Sequence, residues 1–247
     1  SAHCVSIEMA ARELRYSWFR DLCRDYGFDA LAVAHNANDN AETLMLNLLR
    51  GTGLKGICGM SDGKVRHTSS HSYKMPPAVI RPLLGMTRAE IEGYAKEHDV
   101  PFRTDKTNLE NEYSRNKIRN QVFPLFSEIN ASFVQVLNRD MQHFSAASAI
   151  VEDWCAEKRA EVMDGESIVV SRLLSVKHWE YLLHDVLDSY GFSSAVISDV
   201  CRLLSDNDAT FSGKCFESAE YRLYSAFDRL LITGKSGAPE PSFVFEE

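Results

Sequence analysis

Features that would place the chain in a protein class at once are missing from its sequence. No run of 18 apolar residues occurs, which excludes a transmembrane helix, and the first residues lack the basic-then-apolar order of a signal peptide. The six cysteines form neither a C-x-x-C pair nor a zinc-like spacing; they are Cys4, Cys23, Cys58, Cys155, Cys201 and Cys215. Their scatter argues against a disulfide framework and a structural metal site, and indicates a cytoplasmic protein with reduced thiols.

The charge of the chain is unevenly distributed. A net charge of −8 over 247 residues argues against a generally basic nucleic-acid-binding protein. Residues 47–90 nevertheless carry a local charge of +5, from Arg50, Lys55, Lys64, Arg66, Lys74, Arg81 and Arg88 against Asp62 and Glu90. Two explanations remain open for this stretch, namely a basic face that binds a polyanion and an ordinary solvated loop.

The first half of the chain alternates between helical and strand-like patterns. The predicted elements are a helix at 6–26, a buried strand at 29–35, a helix at 39–50, a strand at 78–84 and a helix at 87–99. In the last of these, Thr87 stands at the N-cap with Glu90 at the capping-box position. This order predicts an α/β fold with a doubly wound parallel sheet.

The second half of the chain has a different pattern of predicted elements. Residues 100–126 are predicted to begin extended and to end as a basic helix that Pro124 stops. The following elements are a long helix at 131–163, a strand leading into a turn at 166–174, helices near 177–190 and 194–205, and a hairpin at 211–234. We therefore expect domains at 1–126 and 131–234, the second smaller and mostly helical, and a linker at 235–247.

Polar side chains are dense where the first predicted strand passes into its helix. His35, Asn36, Asn38 and Asp39 follow the strand, and Glu42 comes one turn later. In open parallel sheets, ligands bind at the carboxyl ends of strands, beside the N-termini of the following helices. Each residue alone has a structural explanation, with His35 as a strand-end residue, Asn38 or Asp39 as an N-cap and Glu42 as a first-turn acid. Only the set together favours a site.

The same helix ends in a basic, glycine-rich corner. Gly51 has the position of a helix-terminating glycine, and Thr52 and Gly53 follow it. Arg50 and Lys55 flank this corner and have two explanations that the sequence leaves open. Either they bind a phosphate, or their positive charges stabilise the negative C-terminal end of the helix dipole.

The segment AHNANDNAETLMLNLLRGTGLKGICGM, residues 34–60, resembles the signature of the tRNA(Ile)-lysidine synthetase family, a branch of the N-type ATP pyrophosphatases. The likeness continues through IRPLLGMTRAEIEGY (80–94), PFRTDKTN (101–108) and SRNKIRNQVFPLFSEIN (114–130). It implies an adenine-nucleotide-alpha-hydrolase-like sheet, partial in this chain, followed by the helical domain.

Two departures from the family pattern stand out. Asn38 and Asn40 occupy positions where the family usually has Asp and Gln, so a carboxylate is lost at position 38. The pyrophosphate loop Ser-Gly-Gly-x-Asp-Ser does not occur between residues 1 and 247. We expect that loop upstream of residue 1, and we expect a further C-terminal region as well.

The resemblance implies a reaction and its partners. The C2 carbonyl of the wobble cytidine, position 34 of a tRNA(Ile) with a CAU anticodon, is activated by ATP as an adenylate. The ε-amine of L-lysine then displaces AMP and leaves lysidine. ATP and Mg²⁺ are the implied cofactors, no membrane is involved, and a homodimer is left open.

The resemblance also assigns roles to residues. Asp39 and Glu42 are the catalytic candidates, with Asp39 accepting a hydrogen bond from the cytosine amino group and Glu42 supporting the site or orienting the lysine. The candidates for ATP and phosphate binding are His35, Arg50, Gly51, Thr52 and Gly53. The candidates for contact with tRNA or phosphate are Arg115, Asn116, Arg119, Lys55 and Arg81. Arg115 and Arg119 lie one helical turn apart, and a solvated helix face is their alternative explanation.

Other functions remain open at this point. One is a different N-type pyrophosphatase, such as a tRNA thiolase or an amide-forming synthetase, although thiolases with an iron–sulfur cluster need clustered cysteines. The other is a catalytically inert relative that binds tRNA. The general base is also open, with the Asp of the expected upstream loop as one candidate.

Overall fold

The structure is a computed structural model that describes residues 7–60, 78–102, 114–206 and 211–235. The chain divides into two compact units, Ser1–Ser148 and Ala149–Glu247, and each is described by itself. Of the basic residues in 47–90, Lys64, Arg66 and Lys74 lie outside the described residues.

The first unit contains the predicted alternation of helices and strands. Its helices are α1 (Ile7–Tyr26), α2 (Ala37–Arg50), α3 (Leu54–Ile57), α4 (Arg88–Glu97), α5 (Ser114–Lys117), α6 (Phe123–Ile129) and the beginning of α7 (Phe133–Val162); its strands are β1 (Ala30–Ala32) and β2 (Ala78–Ile80). The two strands pair in parallel, with Ala30 opposite Ala78 and Ala32 opposite Ile80. The α/β class with parallel strands is therefore confirmed.

Both strands end at the same edge, and both following helices begin there. The Val33 N–H donates to the Ile80 carbonyl oxygen over 2.9 Å, which continues the pairing past the end of β1. The Ala37 N–H donates to the Met86 carbonyl oxygen over 2.8 Å. This bond joins the first residue of α2 to the segment that leads into α4. The side chains that enter both helices are thus brought together at the carboxyl ends of the strands.

The basic helix near residue 120 differs from its prediction. α5 continues through a π-helical turn, Ile118–Val122, into α6, which has Pro124 in its first turn. The expectation that Pro124 stops this helix is wrong. Proline lacks an N–H and its ring clashes with the carbonyl four residues earlier in a regular α-helix. The wider turn, in which the Phe123 N–H reaches the Ile118 carbonyl oxygen, accommodates the proline without ending the helix.

A small core packs the π-helical turn against α2. Ala41, Ile118 and Phe123 are buried together, and the surrounding partly buried side chains are Met45, Leu46, Phe126, Phe133 and Leu137. Ala41 immediately precedes Glu42, and Ile118 immediately precedes Arg119. Packing of these apolar neighbours therefore decides which charged side chains of the two elements meet.

The second unit combines helices with an antiparallel sheet. The strands are ordered β3 (Met163–Asp164), β4 (Ser167–Val169), β7 (Arg229–Gly234), β6 (Tyr221–Ala226) and β5 (Cys215–Glu217). The predicted terminal hairpin is confirmed by the antiparallel pairing of β6 with β7. The turn expected after β4 is wrong, because residues Val170–Ser175 form a helix, α8, whose Ser171 N–H donates to the Asp228 carboxylate over 2.8 Å.

Two amphipathic helices, α9 (Trp179–Asp188) and α10 (Ser194–Ser205), cover the core of this unit. That core is apolar, and its fully buried side chains include Leu173, Leu182, Leu187, Leu223 and Leu230. In the described parts of both units, no helix is long and apolar enough to cross a membrane.

Candidate functional site

Asn36 is the N-cap of helix α2, two residues before Asn38, the first N-cap candidate in the sequence. The Asn36 Oδ1 accepts from the backbone N–H groups of Asn38 and Asp39 over 3.0 and 3.1 Å. The Asp39 Oδ2 in turn accepts from the Asn36 N–H over 3.1 Å, which completes a capping box. Asp39 is therefore the first-turn acid, and Glu42 stands one turn further along the helix.

Asn38 connects α2 to α4. Its Oδ1 accepts from the Arg88 backbone N–H over 2.9 Å, at the start of a helix that Thr87 and Glu90 cap as predicted. Hydrogen bonds from the Thr87 side chain and backbone lower the pKa of Glu90. The two helix entrances are thus held together by an amide side chain.

Glu42 is fully buried and lies between two arginines. Arg119 donates to both of its oxygens, from Nε to Oε1 over 2.7 Å and from Nη2 to Oε2 over 2.9 Å. The Arg115 Nε also donates to Glu42 Oε2 over 2.9 Å. Such bidentate, charge-assisted bonds fix the planes of the guanidinium groups. Glu42 thereby orients both arginines.

Arg119 contacts Asp39 as well as Glu42. The Arg119 Nη2 lies 3.3 Å from Asp39 Oδ1, and the Arg88 Nη2 lies 3.6 Å from the same oxygen. The Arg115 Nη2 donates to the Asp39 carbonyl oxygen over 3.1 Å and to Thr43 Oγ1 over 3.1 Å. Asp39 keeps 16% of its side chain exposed, whereas Glu42 has none exposed, so Asp39 is the carboxylate that a ligand can reach.

These five charged residues form what we call the entrance cluster: Asp39, Glu42, Arg88, Arg115 and Arg119. Burial by itself would lower the pKa of Arg119, but hydrogen bonding and attraction to Glu42, with a further contribution from Asp39, raise it. With three arginines and two acidic residues, the cluster has a formal charge of +1. A partly exposed site with excess guanidinium charge suits an anionic ligand.

His35 and Arg81 lie at the carboxyl ends of the two strands. The Arg81 Nε donates to the His35 Nδ1 over 3.3 Å. Arg81 directly follows β2, and His35 comes three residues after β1. The structure thus brings two residues together that the sequence assigned to different ligand groups, at the edge where the sequence predicted a site.

The basic corner after α2 is separate from the entrance cluster. Gly51 ends α2 with a φ of +78°, as predicted, and Gly53 caps the short helix α3. Arg50, Thr52 and Lys55 are exposed. A helix of 14 residues places this corner about 20 Å from the helix start. The structure does not bring the corner residues to Asp39, and their assignment to phosphate or tRNA stays a prediction.

Two protein-family models match the chain, a PP-loop domain over residues 1–126 and a TilS substrate binding domain over residues 162–235. The chain is also similar to the tRNA(Ile)-lysidine synthase of Chlorobaculum tepidum, with 35% identity over 95% of this chain and 70% of that protein. The chain belongs to the tRNA(Ile)-lysidine synthase family. The resemblance stated from the sequence motifs is thereby confirmed.

Two longer members of the family show the same similarity. The tRNA(Ile)-lysidine synthases of Porphyromonas gingivalis and Bacteroides thetaiotaomicron are each 37% identical to the chain. The matches cover 98% and 96% of this chain but 50% and 51% of those proteins. The chain therefore spans about half the length of these curated relatives.

The two departures from the family pattern have structural roles in this member of the lysidine synthase family. Asn38 accepts the Arg88 N–H, a bond that needs only an oxygen and no charge. Asn40 is buried; its Nδ2 donates to Asn138 Oδ1 over 2.8 Å and its Oδ1 accepts from the Met60 N–H over 2.6 Å. Asn138 itself donates to the Ala37 carbonyl oxygen over 2.9 Å. The short amide at position 40 thus ties α7 to the start of α2.

Gly59 approaches this amide so closely that a side chain would not fit. Its φ is +73°, and an added Cβ would lie 2.6 Å from the Asn40 Oδ1 and in contact with the Met141 sulfur. We expect Gly59→Ala to lower the free energy of unfolding by about 1–3 kcal/mol, because strain and the clash add. Urea unfolding measures this change.

Gly93→Ala is the matched control for that substitution. Gly93 lies inside α4, has no atom within 4 Å of an added Cβ, and does not have a positive φ. Alanine there should raise the free energy of unfolding by about 0.5–1 kcal/mol. Equal effects from both substitutions would contradict the close approach at Gly59.

Sequence reasoning missed Arg88, Thr43 and Asn138 as parts of this region. A signal for Arg88 was present, because α2 and α4 both follow parallel strands and therefore begin at one edge of the sheet. Thr43 and Asn138 carry no such signal, since their contacts depend on how α5 and α7 pack. Asn116, a candidate for contact with tRNA or phosphate, lies on α5 next to Arg115 and is half-buried.

Mg²⁺ in proteins usually binds one or two carboxylates together with water and substrate phosphates. No group of three or more His, Cys, Asp or Glu side chains converges within 7–60, 78–102, 114–206 and 211–235. The Asp39 and Glu42 carboxylates are oxygen ligands of the kind that Mg²⁺ prefers. In this structure both are paired with arginines. Guanidinium groups such as the three of the entrance cluster match the geometry of phosphate oxygens.

Proposed function

We propose that the full-length gene product containing this chain is an ATP-dependent ligase that attaches L-lysine to C2 of the wobble cytidine of tRNA(Ile). Family membership supports the reaction class. The observation that carries the proposal is the entrance cluster, in which one reachable carboxylate and three arginines meet at the carboxyl edge of a parallel sheet. This is the edge at which α/β proteins bind nucleotides.

In the first step, the C2 oxygen of the cytidine attacks the α-phosphorus of ATP, and pyrophosphate leaves. Negative charge builds up on phosphoryl oxygens during this step. Guanidinium groups that are already oriented stabilise such charge without reorganising at the moment of reaction. Glu42 serves this step indirectly, because it fixes Arg115 and Arg119 from a fully buried position.

In the second step, the lysine ε-amine attacks C2, loses a proton, and AMP leaves with the electrons of the C2–O bond. An unperturbed lysine has a pKa of about 10.4, so the amine needs a proton acceptor or desolvation. We assign Asp39 to the substrate side, where it accepts a hydrogen bond from the cytosine amino group. Its partial exposure, in contrast to Glu42, supports this assignment.

The remaining partners follow from the same proposal. We assign His35 and Arg81 to the nucleotide edge, and we assign Arg50, Lys55 and the glycine corner to contacts with the tRNA backbone. The match to a substrate binding domain over residues 162–235 supports tRNA binding by the second unit. We infer that the reaction takes place in the cytoplasm and uses Mg²⁺ with ATP.

Lysine attachment by the full-length gene product tests the proposal. The product is incubated with ATP, labelled lysine and a tRNA(Ile) transcript that carries a CAU anticodon. We expect ATP-dependent label in the tRNA, and none in a matched transcript with uridine at position 34. An intact protein that binds tRNA but attaches no lysine would favour an inert relative instead.

A further inference from the structure

Arg88 differs from the other two arginines of the entrance cluster in how its guanidinium group is bound. Arg115 and Arg119 each donate at least three hydrogen bonds to Glu42, Asp39 or Thr43. The Arg88 guanidinium has one recorded contact with the described residues, the ion pair with Asp39 Oδ1. At 3.6 Å this pair is too long for a hydrogen bond.

The backbone of Arg88 is held firmly while its guanidinium group is not. The Arg88 N–H donates to Asn38 Oδ1 over 2.9 Å, so the Cα is fixed beside the start of α2. The side chain keeps 35% of its surface exposed, compared with 31% for Arg115 and 17% for Arg119. A cation with a fixed base and a solvated head can turn from Asp39 toward a ligand without disturbing either helix.

We propose that Arg88 is a phosphate-binding residue of the site, which releases Asp39 and forms a bidentate contact with a phosphoryl group of the substrates. The planar guanidinium matches two phosphate oxygens, and charge-assisted bonds of this kind are among the stronger ones in proteins. The inference rests on the proposed function only for the identity of the phosphate. That group belongs to ATP or to the tRNA backbone.

This exchange has a consequence for Asp39. With Arg88 turned away, Asp39 keeps Arg119 and the Asn36 N–H as partners and loses one of its two neighbouring cations. A carboxylate that has released one cation is free to accept a hydrogen bond from another donor. Binding of the phosphate by Arg88 therefore prepares Asp39 to receive the amino group of a substrate.

Binding measurements on Arg88→Ala and Arg88→Lys in the full-length protein test the proposal, with Lys96→Ala as the control. Lys96 is an exposed cation on the same helix, α4, so its loss removes equal charge outside the cluster. ATP affinity is measured by calorimetry without tRNA, and tRNA affinity by filter binding between 50 and 200 mM salt. We expect Arg88→Ala to weaken one of the two by about 10- to 100-fold, and Lys96→Ala to weaken neither comparably.

The two assays identify the source of the phosphate. A loss confined to ATP binding assigns Arg88 to the nucleotide. A loss confined to tRNA binding, with a salt dependence reduced by about one charge, assigns it to the tRNA backbone. Arg88→Lys keeps the positive charge but loses the planar, two-point contact of a guanidinium group. Its affinity should therefore lie between those of the wild type and Arg88→Ala.

Unchanged affinities in both assays would overturn the proposal. A folded Arg88→Ala protein with a lowered melting temperature and wild-type affinities would show that the pair with Asp39 is structural only. Failure of the proposed function is distinguishable, since it would appear as absent lysine attachment by the wild type. The Arg88 variants are judged on binding alone, which does not require that reaction.

Discussion

Replacing Glu42 by glutamine is expected to lower the free energy of unfolding of the first unit by about 3 kcal/mol. The carboxylate is fully buried and receives three hydrogen bonds from Arg115 and Arg119. A glutamine has the same shape but no charge, so two partly buried guanidinium groups lose their shared anion. Urea unfolding of the variant and the wild type measures the loss.

Glu92→Gln is the matched control for this prediction. Glu92 is an exposed acid on α4 of the same unit, and it has no ion pair with a described residue. Its replacement should change the free energy of unfolding by less than about 0.5 kcal/mol. If Glu42→Gln has an equally small effect, the buried ion pairs contribute little to stability and Glu42 does not hold the arginines in place.

Asp39→Asn is expected to reduce lysine attachment by about 10- to 100-fold, the loss of a charge-assisted hydrogen bond to the substrate. The side chain keeps its shape and can still accept from the Asn36 N–H. Its loss of charge removes one of the two anions that Arg119 contacts, and with it the reachable carboxylate of the site. We therefore expect only about 1–2 kcal/mol lower stability, in keeping with a weakened helix cap.

Glu90→Gln is the control that separates helix capping by Asp39 from its contact with the substrate. Both acids occupy the third position of a capping box. Glu90 caps α4 together with Thr87 just as Asp39 caps α2 together with Asn36. Glu90 has no recorded contact with the entrance cluster, so Glu90→Gln should keep the activity of the wild type. Comparable activity losses in both variants would assign Asp39 to helix capping and not to the reaction.

Much of the first unit could be predicted because its signals are local. The capping box of Thr87 and Glu90 and the glycine end of α2 each depend on residues within four positions. The α/β class and the family follow from the order of elements and from the motif of residues 34–60. The start of α2 was placed too late because Asn36, Asn38 and Asp39 are all good caps, and only the backbone geometry selects one.

The predictions that remain untested concern roles more than positions. The domain limits at 126 and 131 stay a prediction, as does the linker at 235–247, most of which lies outside the described residues. The assignment of Arg50, Thr52 and Lys55 to phosphate or tRNA also stays a prediction. The structure adds that these residues lie at the opposite end of α2 from Asp39.

The sequence by itself determined the family, the parallel α/β arrangement and four of the five residues of the entrance cluster, all but Arg88. Only the tertiary structure decided what those residues do for one another. Arg115 and Arg119 meet Glu42 across 73 and 77 residues of chain. The direction of the two arginine side chains depends on the π-helical turn that precedes Pro124 and on the packing of Ala41 against Ile118. Contacts over such distances arise from packing in three dimensions, which no local pattern encodes.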